Sequence, residues 1–338
     1  MRIWIASHLV VVSRRAFLTG AAATAAAAAT PWRADVKGAG VVQTQASIPI
    51  IDTHIHLFDP TRPQGAPYSG PPSASGATPI AAYPDRYRRL AVPLGVVGAI
   101  KVEASPWIED NLWVLEVAER DPIMVGVVGN LEPDKPEFPE YLERYHKNPL
   151  FRGIRYGNLW GRDITKQSAN PVFIDGLKRL AQADLVLDTA NPRVPLLDAM
   201  LRISDAVPAL RIVIDHLPAL DRADADRAAY DRALQEIGRR PQIFVKLSEI
   251  IHRVNGQVST ELATYRARLD MLIAVFGEDR ILFGSDWPNS DGVAPIDQVF
   301  AIAKEYFRTK PRTVAEKYFW KNSVAAYKWI KRDPSQPR

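Results

Sequence analysis

Four of the six histidines in this 338-residue chain fall at or just past the end of an apolar run. Two of them share the segment Ile51-Asp52-Thr53-His54-Ile55-His56. Strand side chains alternate, so residues two apart project from one face. His54 and His56 are therefore spaced to grip one metal ion together, and Asp52, one step deeper, is placed to orient a ligating ring. Asp286, in Leu282-Phe283-Gly284-Ser285-Asp286-Trp287-Pro288, ends another apolar run. A carboxylate there can ligate the metal, accept a proton from water and pass it to a leaving group. His216, in Ile214-Asp215-His216-Leu217, can ligate the metal or polarise a carbonyl. Glu103, after Lys101-Val102, is a candidate for the carboxylate that a His-His-Asp set lacks. Arg155, in Gly153-Ile154-Arg155-Tyr156, suits a substrate carboxylate through paired N–H bonds. His252 and Asp188 are placed for substrate contact. His8 and His146 lie in segments without such context.

Those residues need a scaffold that gathers strand ends. Eight runs recur along the chain: Ile48 to Leu57, Gly95 to Glu103, Met124 to Val128, Phe151 to Tyr156, Leu185 to Thr189, Arg211 to His216, Ile243 to Leu247 and Arg280 to Ser285. Each is nearly continuous in apolar character, as parallel strands covered on both faces are. Helical spacing fills the gaps, in Asn111 to Arg120, Pro171 to Ala183, Pro195 to Ala206, Ala223 to Arg240 and Leu262 to Phe276. Eight strand–helix units in one chain predict an α/β fold of the (β/α)8 type, a TIM barrel, with chemistry at the strand C-termini. Strands one and eight are neighbours in a closed barrel, which sets Asp286 beside His54 and His56. A last helix, about Pro311 to Ile330, closes one end. The Pro-, Gly- and Ser-rich stretch from Asp59 to about Pro93 is too long for a plain connection and reads as a lid or substrate loop. Residues 47–330 form the barrel domain and 331–338 a C-terminal tail.

Residues 1–46 read differently. Ser13-Arg14-Arg15-Ala16-Phe17-Leu18, followed by an alanine-rich run, is a twin-arginine export pattern. It makes the twin-arginine export machinery a partner and predicts a periplasmic or secreted protein. An earlier apolar stretch, Ile3 to Val12, leaves anchoring as the alternative. This segment holds five basic residues against one acidic, so most of the net charge of +5 lies there and gives no reason to expect nucleic-acid binding. There are no cysteines, which excludes thiolate nucleophiles, thiolate metal sites and disulfides. No Gly-x-Ser-x-Gly elbow marks a serine hydrolase.

Taken together, Ile51-Asp52-Thr53-His54-Ile55-His56, Asp215-His216 and Phe283-Gly284-Ser285-Asp286-Trp287-Pro288 resemble the amidohydrolase-2 family, and within it the sugar-lactonase and dicarboxylate-lactone hydrolase branch. The resemblance spans roughly Ile50 to Ile330. It implies a metal-dependent hydrolase on a β/α barrel, acting on a small lactone or related cyclic ester, often with one divalent ion, zinc above all. His54 and His56 match the metal pair, His216 the strand-six histidine, Asp286 the catalytic aspartate and Arg155 a substrate-binding position. Strand four ends in Arg155 where binuclear members carry a carbamylated lysine. Strand five ends near Asp188 where decarboxylases carry a histidine. The readings that compete with lactone hydrolysis are non-oxidative decarboxylation of an aromatic acid and a catalytically inactive periplasmic binding protein. A small-molecule substrate, with an acidic group for Arg155 to hold, is expected in the first.

Overall fold

The computed structural model describes residues 47–70, 80–219 and 224–337; the twin-arginine segment lies outside them. The described residues belong to one compact unit. All eight expected barrel strands form: β1 (Ile50–Ile55), β2 (Val96–Lys101), β3 (Met124–Gly129), β4 (Phe151–Arg155), β5 (Val186–Thr189), β6 (Arg211–Ile214), β7 (Ile243–Lys246) and, after a small hairpin of β8 (Arg253–Val254) and β9 (Gln257–Val258), β10 (Ile281–Leu282). The eight make one sheet in sequence order, β1 through β7 and then β10, with every adjacent pair parallel. Helices follow the strands and wrap the outside, as the 3.6-residue periodicity requires.

Buried side chains divide into two groups. Ile51, Ile100, Val125, Val186, Val213, Phe244 and Leu282 form an inner cluster, joined by Tyr327 and Trp329. A larger cluster lies between the strands and the helices. Strands buried on both faces explain why the sequence shows runs rather than alternation.

Three features depart from the sequence reading. The eighth barrel strand, expected over Arg280 to Ser285, pairs with β7 only through Ile281 and Leu282. Beyond them the chain turns to β1: Thr53 N–H donates to the Phe283 carbonyl (3.1 Å), Asp286 N–H to the His54 carbonyl (2.9 Å) and His56 N–H to the Trp287 carbonyl (2.8 Å). The final helix forms as one run from Arg312 to Tyr327 but widens into a π-helical turn over Lys317–Lys321, and Lys328 in the left-handed region ends it. Residues after 330, read as a tail, are tied down. The Arg332 guanidinium donates to the carbonyls of Ala118, Glu119, Asp121 and Met124, and Gln336 to those of Val97 and Pro122. The stretch from Asp59 carries a helix, Pro84–Ala91, and its Arg62 pairs with Asp110; residues 71–79 lie outside the described set.

Candidate active site

β1 delivers two imidazoles and the segment after β10 delivers the carboxylate they meet. His54 Nε2 lies 3.3 Å from His56 Nε2. Asp286 Oδ1 is 3.4 Å from His54 Nε2, 3.2 Å from His56 Nε2 and 3.9 Å from His216 Nε2. Three rings therefore converge on one oxygen. Donors around a tetrahedral ion, each about 2.1 Å from it, stand about 3.4 Å apart, which is close to the shorter of these separations. Among the described residues, His54, His216 and Asp286 form the group able to hold a metal.

The rings suit that task in protonation as well as position. Burial, with the nearby cations, holds His54 and His216 well below the usual imidazole range and brings His56 down to about 3. Neutral rings keep a lone pair. The Nδ1–H of His56 donates to the Val102 carbonyl at 3.0 Å, which leaves Nε2 bare and aimed at Asp286. His216 Nδ1 meets the Ser248 hydroxyl at 2.9 Å and lies 3.6 Å from Glu249 Oε1.

Asp286 is held up to about 7, chiefly by burial, against a hydrogen bond to Glu249 that pulls the other way. Burial and the facing Asp286 carboxylate push Glu249 well above the ordinary carboxylate range. Two carboxyls in contact do not both ionise readily, so the pair shares a proton near neutrality. Backbone geometry aims these groups. His216, Glu249 and Asp286 all have positive φ (58°, 51° and 59°), a conformation uncommon for residues other than glycine and one that gathers at functional sites.

Beneath the cluster runs a buried charge network that the sequence reading did not anticipate. Lys246 Nζ sits 2.8 Å from Asp188 Oδ2, 2.9 Å from Asp215 Oδ1 and 3.2 Å from His54 Nδ1. Tyr327 donates to Asp188 Oδ2 from below at 2.8 Å. Asp188, expected at the substrate, is instead fully buried in this network, where burial raises it to about 6 against the pull of Lys246. Asp52, expected to orient an imidazole, accepts the backbone N–H groups of His54 and Ser285 and the Tyr87 hydroxyl. The carboxylate on the Nδ1 side of the His54 ring is Asp215, 3.5 Å away.

Above the cluster opens a cavity of about 240 Å³, lined by His56, Tyr68, Glu103, Arg155, Trp160 and Asn289 among others. Arg155 is there as expected, its Nη1 donating to the Glu103 carbonyl at 3.1 Å. Glu103, expected as a metal ligand, is outside the metal-competent group. Its side chain accepts the Trp160 indole N–H and stands 3.9 Å from both Arg155 Nε and Arg162 Nη1. His252 does not line the cavity: its Nδ1 meets the Ile250 carbonyl at 2.8 Å and its ring packs on Tyr265. The long stretch after β1 supplies Tyr68, whose hydroxyl donates to Asn289 over the mouth.

Comparison with known proteins agrees with this geometry. A family model described as amidohydrolase matches residues 51–329. An L-fucono-1,5-lactonase of Burkholderia ambifaria is 28% identical over 243 residues, 71% of this chain and 80% of that protein. One from Burkholderia multivorans is 25% identical over 285 residues, 81% of this chain and 94% of that protein. An amidohydrolase structure from Burkholderia multivorans with bound zinc superposes with a TM-score of 0.73 at 22% identity, over 83% of this chain and all of that one, a likeness of fold.

Proposed function

Because the chain belongs to the amidohydrolase family, a family of hydrolases, we propose that it hydrolyses a small lactone or related cyclic ester. The observation that carries this reading is the convergence of three neutral imidazoles on Asp286 Oδ1 beside an open cavity. Its likeness to two L-fucono-1,5-lactonases supports a lactone over other esters.

Asp286 in its ionised form takes a proton from a water beside the substrate carbonyl, and the oxygen attacks. When the Ser248 hydroxyl donates to His216 Nδ1, the ring carries its hydrogen on Nε2 and hydrogen-bonds the developing oxyanion. Asp286 then returns its proton to the leaving alkoxide as the ring opens. Glu249, in contact with Asp286, holds the shared proton close to the reacting oxygen. The donors of His54, His216 and Asp286 would fit a divalent ion such as zinc, with His216 then carrying its hydrogen on Nδ1, donated to Ser248, and His56 standing beside the group, its Nε2 3.3 Å from that of His54. A divalent ion held by those donors would supply Lewis-acid chemistry to the carbonyl and to water.

A lactone panel on purified protein, read by acid release, tests the assignment. Asp286→Asn is expected to lower kcat/KM by at least 10³-fold while circular dichroism stays unchanged. Turnover equal to wild type would remove Asp286 from the chemistry. Carbon dioxide release from an aromatic acid, or binding without turnover, would replace the lactonase reading with one of its rivals.

The Arg14-Arg15 pattern and the alanine-rich run behind it support a periplasmic or secreted location through the twin-arginine route.

A further inference from the structure

The charges around the cavity are already matched to each other. Among the described residues that line it, Arg155 is the one cation and Glu103 the one anion. The Arg155 guanidinium stands between two buried carboxylates, its Nε 3.9 Å from Glu103 Oε2 and 3.7 Å from Asp215 Oδ2. Arg162 backs Glu103 from the far side, 3.9 Å from Oε1, with its guanidinium over the Tyr156 ring and outside the cavity lining. Residues 71–79, in the long stretch after β1, contain no charged side chain. Asp215 is paired with Lys246 as well, 2.9 Å away, so the buried cations Arg155, Arg162 and Lys246 are balanced by Glu103, Asp188 and Asp215, and a substrate carboxylate arriving at Arg155 would be an anion in excess of them. A buried charge is tolerated when it is paired and costly when it is not.

The same lining is well suited to hydroxyl groups. A buried carboxylate accepts O–H donors strongly, and Glu103 is 2% exposed. Arg155 Nε is buried between Glu103 and Asp215 without a hydrogen bond to either, and the residue lines the cavity. Tyr68 and Asn289 add a hydroxyl and an amide at the mouth. Trp160 is held in the left-handed region with its N–H given to Glu103, and it is 39% exposed, so part of its flat ring is free. An indole presents an apolar face beside a polar edge, which matches the C–H face of a saturated, hydroxyl-bearing ring. A cavity of about 240 Å³ takes one such ring.

Resting on the lactonase reading, we infer that Glu103 is a specificity-determining residue that makes this site select neutral, polyhydroxylated lactones and reject lactones carrying a carboxylate. Arg155 then binds hydroxyl or ring oxygen rather than an acid, which reverses the acidic substrate expected from the sequence. Glu103 holds Trp160 through the indole N–H and holds Arg155 electrically neutral. Substituting its carboxylate with an amide keeps the shape and frees the guanidinium.

The experiment uses the purified enzyme and a matched pair: L-fucono-1,5-lactone and the 1,5-lactone with a carboxylate in place of its methyl group. Wild type is expected to show kcat/KM at least 10²-fold higher for the neutral lactone. Glu103→Gln is expected to cut that ratio at least tenfold, and Glu103→Asp, which keeps the charge, to preserve the preference. Equal or faster wild-type turnover of the carboxylate lactone overturns the inference, as does an unchanged ratio in a folded Glu103→Gln protein. If Glu103→Gln does not fold, the wild-type ratio decides. If wild type hydrolyses neither lactone, the lactonase reading fails, and the inference is decided on binding of the two corresponding 1,5-lactams by calorimetry. Tighter binding of the neutral lactam supports it; equal or weaker binding overturns it.

Discussion

At the scale of single residues, chemistry here depends on how burial sorts protons. The imidazoles stay neutral, which suits them to hold a cation or hydrogen-bond an oxygen. Asp286 moves the other way, to about 7, because an ionised carboxylate in this enclosure loses hydration and stands near the Asp215 charge, which together outweigh the hydrogen bond from Glu249. A general base works only when deprotonated. In protein stripped of divalent ions, kcat/KM should therefore climb as pH rises through about 7 and level off above it. A pH–rate profile checks this, and a limb centred near 4 would show that Asp286 is not the titrating base. These roles were partly legible in advance. His54, His56, His216 and Asp286 stand at the ends of apolar runs, and alternation alone puts the first two on one face. Lys246 and Glu249 were not legible. Lys246 looks like the polar end of a strand until Asp188 and Asp215 close around it. Glu249 acquires its part from a left-handed backbone turn, which no residue type announces when the residue is not glycine.

Elements explain why the groups meet at the observed distances. β1 and the segment after β10 approach so closely that a side chain between them has no room. A Cβ built on Gly284 would stand 2.8 Å from the His54 Cβ. Gly284→Ala is therefore expected to push His54 off Asp286, lowering kcat/KM by about tenfold or more and stability by about 1–3 kcal/mol. Kinetics and thermal unfolding measure the two effects, and unchanged values in both would mean the seam is more yielding than this spacing implies. The eight barrel strands were readable because each is buried on both faces and so runs continuously apolar. Their ends were less so. The expected Arg280 to Ser285 strand pairs with β7 over two residues, since the chain must leave that partner to reach β1. The β8–β9 hairpin went unforeseen although Asn255-Gly256, both with positive φ, is a turn signature of such hairpins. The last helix read as continuous because its apolar spacing persists through the π-helical turn, which costs one extra residue without changing composition.

For the molecule as a whole, the inner barrel is filled rather than open. Tyr327 and Trp329 enter the inner cluster, and Arg332 and Gln336 fasten the chain to carbonyls near β2 and β3. A protein with no cysteines has no disulfide to brace it, so its stability must come from such burial. The twin-arginine route carries proteins that have already folded. Full-length chain expressed in a bacterium with that route should appear in the periplasmic or extracellular fraction, and an Arg14→Lys, Arg15→Lys pair should keep it in the cytoplasm. Equal export of both would sink the proposed route.

The hydrogen bonds from Thr53, His56 and Asp286 that join the first barrel strand to the last are also the bonds that bring His54 and Asp286 together. Ring closure and assembly of the catalytic centre are thus one event. Most of the sequence must be threaded before either half of the centre has a partner, and an unfinished chain is inert. Hydrolysis can therefore serve as a gauge of complete folding, since turnover reports a contact that only the finished circle makes.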